Sequence, residues 1–137
     1  MGIWSNEPFA NDAAYDWAQE LVESDNLSSI DAAIDRVLKG SGDFSETYHA
    51  CEAIAAIEVL VILLGHETDS DNIMEELDRW LKRGPQPPSP ALINKAKLCI
   101  DLIMSPNSAL LKFWNGTEGG IEWKSNMRNL AIKLSTN

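Results

Sequence analysis

The sequence predicts an all-α protein, a compact single-domain bundle of about six to seven helices around a central apolar helix. Three observations predict it. Apolar residues recur at i, i+3, i+4 and i+7 in one segment after another. Gly and Pro cluster between those segments rather than inside them. No stretch shows the strict apolar–polar alternation of a half-buried strand.

Each element follows from local chemistry. Asn11 is placed to cap a first helix to about Val22, with Ala14, Trp17, Ala18, Leu21 and Val22 on one face. Ser28 or Ser29 opens a second, with Ile30, Ala33, Ile34, Val37 and Leu38 inward and Gly40 as its stop. Asp43 with Glu46 forms a capping-box pattern for a third helix, which ends at Gly65. From Ala53 to Leu64 that helix is apolar almost all round except Glu58, the mark of a buried centre. A fourth spans about Ser70 to Lys82, turning Ile73, Met74, Leu77, Trp80 and Leu81 inward, and stops at Gly84. Pro85, Pro87 and Pro88 make a rigid connection to Ser89-Pro90, a cap followed by an N1 proline, and a fifth helix runs to about Met104. A short sixth helix spans about Ser108 to Trp114; after Gly116, Gly119 and Gly120, a last one spans about Ile121 to Leu134.

A chain of 137 residues is the size of one domain, burying roughly two-thirds of its unfolded surface. One helical domain over 1–137 is expected, with residues 1–10 as a loop packed on the core. The longest apolar run, Val59 to Leu64, has six residues, far short of the roughly 18 a membrane span needs. The N-terminus carries no early Lys or Arg and no apolar signal core, and Asn6 stands where a myristoylation motif needs Ser or Thr. A cytoplasmic protein is therefore expected, without a membrane partner. Cys51 and Cys99 have no CxxC spacing and fall among apolar residues, as buried reduced thiols do.

The opening Met1-Gly2-Ile3-Trp4, then Pro8-Phe9, Asn11-Asp12-x-Ala14, Trp17 and Leu21 resembles the start of a bacterial family known as a domain of unknown function, DUF4259. Its members typically begin Met-Gly-x-Trp-Gly-x-Gly-Pro-Phe-x-Asn-Asp-x-Ala. The similarity continues at Ala55-Ala56-Ile57-Glu58-Val59, Gly65, Ser108-x-Leu110, Trp114 and Trp123, over nearly the whole chain. Ser5 and Glu7 replace two of the family's glycines, so this chain must shape that loop differently. The resemblance implies no activity. Read from the residues alone, Trp4, Pro8 and Phe9 fold the opening loop over the core.

Catalytic and metal constellations are incomplete. Glu46-x-x-His49-x-x-Glu52 puts three ligand types on adjacent turns. A di-iron bundle site, however, needs a second Glu-x-x-His unit and two more carboxylates, and His66, the only other histidine, lacks one. His49 and Cys51 are two apart on a helix, on nearly opposite sides of its axis. There is no GxSxG, phosphate loop or dinucleotide fingerprint. Glu58 reads either as a carboxylate with a raised pKa or as a buried acceptor paired with a C-terminal base or amide. A non-enzyme without cofactor or metal is expected.

The charge pattern is more informative. The net charge is −10, which argues against a nucleic-acid partner, since phosphates need a basic surface. Residues 1–78 hold 18 acids and two bases, Arg36 and Lys39, whereas residues 79–137 hold three acids and nine bases. Asp12, Asp16, Glu20 and Glu23 fall within an arc of roughly 80° on helix one, opposite its apolar stripe. Like charges at i, i+4 repel, Glu20 and Glu23 lie at the negative end of the helix dipole, and nothing on the helix offsets them. On helix four, by contrast, Glu75–Arg79 and Asp78–Lys82 are favourable pairings. The pattern points to an acidic docking surface for a basic protein, led by Asp12, Asp16, Glu20 and Glu23 and joined by Asp31 and Asp35 of helix two. An immunity protein that plugs a nuclease toxin fits that description. Alternatives are an interaction module that self-associates, acidic half against basic half, and an enzyme centred on His49, Glu52 and Glu58. The sequence leaves the oligomeric state open.

Overall fold

The computed structural model describes residues 11–24, 26–40, 46–67 and 75–135. Among them the regular elements are seven helices: α1 (Asp12–Leu21), α2 (Ser28–Lys39), α3 (Glu46–Leu63), α4 (Glu75–Lys82), α5 (Pro90–Ile103), α6 (Ala109–Trp114) and α7 (Gly120–Ser135). The expected opening loop, the start of the fourth helix with Ile73 and Met74, and Asp43 of the capping box lie outside the described residues.

Side-chain caps set three of the helix starts. Asn11 Oδ1 accepts from Ala14 N at 2.8 Å, Ser89 Oγ from Leu92 N at 3.1 Å and Ser108 Oγ from Leu111 N at 3.2 Å. Each satisfies a donor that the first helical turn would otherwise leave open. Helix α2 departs from expectation. Its N-cap is Leu27, with no side-chain cap bond, and Ser28 is already helical. Asn26 supplies the missing acceptor from outside, its Oδ1 taking Ser28 N at 2.9 Å. Gly40 ends α2 at φ 70°, a conformation glycine adopts without strain.

Helix α3 is the hub. Every residue from Ala50 to Val61 is buried, and α1, α2, α5, α6 and α7 all pack against it. Helix α2 also packs on α5, α5 on α7, and α4 on α1. Two indoles fasten the connections: Trp17 Nε1 donates to Ser29 O at 3.3 Å, and Trp80 Nε1 to Ser24 O at 2.6 Å. No helix among the described residues is long and apolar enough to cross a membrane.

The last turn before α7 contains a constraint the sequence reading passed over. Trp114 and Trp123 stack with ring centroids 6.0 Å apart. This brings the chain back so tightly that a Cβ on Gly120 would run into the Trp114 carbonyl oxygen. That oxygen already accepts from Thr117 N and Thr117 Oγ1.

Two carboxylates lie within the buried stretch of α3. Glu58 is 4% exposed and has an interaction partner. Glu52 meets Arg36 of α2, Nη1 to Oε1 at 3.3 Å. Burial pushes the Glu52 carboxyl above its ordinary value; Arg36 and His49 pull it back, and Glu20 of α1 pushes it further up.

Two measurements test this packing. Gly120→Ala should lower stability by about 1–3 kcal/mol in urea unfolding, because backbone rather than a flexible side chain must give way. An unchanged midpoint would show that the 114–120 turn relaxes freely. A carboxyl whose folded pKa exceeds its unfolded value binds protons on folding, so its contribution is greatest at low pH and declines as pH rises. The stability difference between wild type and Glu52→Gln should therefore move in favour of wild type as pH falls from neutrality toward 4.5, the ordinary glutamate value. A pH-independent difference would mean that burial does not shift this group.

Candidate functional site

Helix α1 lies on the bundle with Ala13, Ala14, Trp17, Ala18 and Leu21 buried against its neighbours. That docking leaves the opposite arc in solvent: Asp12, Asp16, Glu20 and Glu23 are all exposed. Among the described residues, no Lys, Arg or His lies within ion-pair distance of any of the four. The helix dipole is met from elsewhere. Arg83, beyond α4, donates to the Val22 carbonyl at the end of α1, at 3.5 Å. That tertiary contact eases the dipole penalty at Glu20 and Glu23, but it does not pair with their carboxylates.

Asp31 and Asp35 behave differently. Lys95 of α5 bridges them, Nζ lying 2.5 Å from Asp31 Oδ1 and 2.6 Å from Asp35 Oδ1. The hydrogen bonds to Asp31 and Asp35 raise the Lys95 pKa above its ordinary value. These two acids, expected to join the helix-one surface, thus also have a role inside the fold. They hold α2 to α5, and Lys95 offsets one of their two negative charges. On α4, Asp78 pairs with Lys82 at 2.9 Å, whereas Glu75 and Arg79 do not come within ion-pair distance.

The charge of α1 is also felt on α3. Tyr48, 41% exposed, has its phenol pKa raised by burial and then by the negative charges of Glu52, Asp16 and Glu20, against a smaller opposing effect of Arg36. The α1 acids thus lie near enough to α3 to act on Tyr48 and Glu52, although Glu52 is itself buried and paired with Arg36. Sequence reasoning missed Tyr48, although its i, i+4 spacing to Glu52 on a helix that must pack against α1 was the available signal.

The Glu46-x-x-His49-x-x-Glu52 unit is divided among three tasks. Glu46 Oε1 accepts from Ala109 N at the start of α6, at 3.3 Å. Glu52 holds Arg36, and His49 lines a cleft between α2, α3, α5 and α6. Among the described residues, no group of three or more His, Cys, Asp and Glu is arranged to hold a metal ion. His66 lies just past α3 with its Nε2 buried and without a hydrogen-bond partner among the described residues. Cys51 and Cys99 are free and buried, and burial pushes both thiols up to about 12, far from the thiolate that nucleophilic chemistry requires.

Comparison with known proteins gives one match. A family model described as a domain of unknown function, DUF4259, matches residues 2–126. No curated protein and no solved structure matches. With the match running from the second residue into α7, the chain belongs to the DUF4259 domain-of-unknown-function family.

Proposed function

We propose that this chain is a non-catalytic, acidic binding protein of the bacterial cytoplasm, most concretely an immunity protein that blocks a basic nuclease toxin. One observation carries the reading: Asp12, Asp16 and Glu20 of α1 and Glu23 just beyond it stand exposed together without a cationic partner among the described residues, while Asp31 and Asp35 share Lys95 and Glu52 and Asp78 each meet a base. Like charges held together in this way raise the free energy of the unbound protein, and a cationic partner relieves that cost.

Magnitude supports the clustering argument. The chain exposes 7195 Å², and a standard interface covers about 800 Å² on each partner. A net charge of −10 spread evenly would place about one charge in such a patch. Asp12, Asp16 and Glu20 of α1 with Glu23 just beyond it group four acids where an even spread of all 21 would place about two, a clustering that steers a basic protein and raises its on-rate. Nuclease active sites are cationic because their substrate is anionic, so an acidic domain of this size is a physically suitable plug.

A second reading rests on α7, whose outer face exposes Ile121 and Ile132, at 81% and 59%, beside Arg128. Self-association would set this apolar, basic face of one copy against the acidic α1 of another. Sedimentation at increasing concentration separates the two readings.

For the first, affinity capture from host lysate at about 50 and 500 mM salt is compared between wild type and Asp16→Lys/Glu20→Lys; screening shortens roughly threefold in range between those conditions. The expected outcome is a basic protein retained by wild type at low salt, lost in the double variant, whose nuclease activity the purified wild type suppresses. Capture indifferent to charge reversal removes the α1 surface from the function.

A further inference from the structure

Beside the Arg36–Glu52 pair lies a concave feature. Arg36, held by Glu52, and His49 both line a cleft of about 320 Å³ between α2, α3, α5 and α6. Its buried lining includes Ala50, Ile103 and Leu110, while Arg36 and Leu102 (45% exposed) stand at its open side. We infer that this cleft receives an aromatic side chain projecting from the same basic partner that docks on α1. This rests on the binding reading and adds to it the anchor that converts steering into residence.

Four properties of the cleft select that occupant. Its volume lies at the lower end of the range for small-molecule sites, too little to enclose a large cofactor but suited to a single large side chain. Its floor is apolar, so filling it with carbon removes apolar surface from water on both sides. The Arg36 guanidinium is held through Nη1 by Glu52 at 3.3 Å, and a planar guanidinium at the rim can stack on an aromatic ring. An aliphatic anchor would gain the burial without the stacking. Finally, α1 and α2 both pack on α3, and Arg36 of α2 lines the cleft while bonded to Glu52 of α3, so a partner whose basic surface covers α1 needs to reach only one helix further to enter it. Interfaces concentrate their binding energy in aromatic anchors seated in pockets, while surrounding charges set rate and register.

Three amidated peptides test the inference on the intact protein: Arg-Arg-Trp-Arg-Arg, its Trp-to-Ala analogue, and Ser-Ser-Trp-Ser-Ser. Affinities are measured by calorimetry, and backbone NMR shifts report on Ala50, Ile103 and Leu110. The arginine–tryptophan peptide should bind at least about tenfold tighter than its alanine analogue, the gain expected of one hot-spot aromatic, with shifts at those three residues. Leu102→Ser, which strips the exposed apolar wall, and Asn107→Trp, which fills the cleft from its rim, should each remove that gain. Neither should alter binding of the alanine analogue. Both positions are exposed, and thermal melts confirm that each variant is folded.

If the two arginine peptides bind equally well and both respond to Asp16→Lys/Glu20→Lys, the cleft inference is overturned while the α1 surface stands. If neither binds at low salt, the acidic-surface reading falls and takes the cleft with it. Equal affinity and equal cleft shifts from the serine peptide would make the cleft a site independent of the acidic field, which also overturns the inference.

Discussion

Helix α3 is buried on every side for twelve consecutive residues, Ala50 to Val61. A helix without a polar face has no position on a surface, so the rest of the chain must surround it. Each surrounding helix then needs only one apolar stripe, and whatever lies on its other face is left for solvent. On α1 that other face is Asp12, Asp16 and Glu20, with Glu23 in the turn just beyond. The candidate surface is thus a consequence of the hub. Because α1 has a stripe of Ala13, Ala14, Trp17, Ala18 and Leu21 to bury, the direction in which its acids point is determined by the core.

The uneven charge along the chain is partly resolved where the acidic and basic halves meet. Lys95, from the basic half, bridges two acids of α2. Within the acidic half, Arg36 of α2 holds Glu52 of α3. The second bond has the larger structural consequence. A carboxylate at the border of an apolar helix is costly to desolvate unless it is paired, and Arg36 is exposed enough to pair with it without being buried itself. The pairing holds one guanidinium at the rim of the α2–α3–α5–α6 cleft.

Much of this was legible in the residues, for physical reasons that also explain what was not. Caps act within three residues, so Asn11, Ser89 and Ser108 announced the starts of α1, α5 and α6, and the all-round apolar character of α3 announced its burial. At the start of α2 either Ser28 or Ser29 suited the opening equally well; the helix begins at Ser28, and the structure uses Asn26, two residues before it, as the acceptor. Contacts that join distant segments left no local trace. Lys95 with Asp31 is 64 residues apart, and Glu46 with the Ala109 amide 63. Gly120 looked like a loop residue among others, because its constraint comes from the Trp114 carbonyl it faces.

The same distinction separates the two kinds of acid in this protein. An acid on a helix face is structural if a base from elsewhere in the fold reaches it, and available if none does, and periodicity cannot tell these apart. Asp31 and Asp35 share the i, i+4 spacing of Asp12 with Asp16 and Asp16 with Glu20, yet only the first pair lies opposite α5 and its lysine. Helix α1 packs on α2, α3 and α4. From those helices Arg36 turns to Glu52, Lys82 to Asp78 and Arg83 to a carbonyl. Those three cations are committed to other acceptors, Lys39 of α2 and Arg79 of α4 do not come within ion-pair distance of the α1 acids, and these carboxylates face solvent and whatever approaches from it.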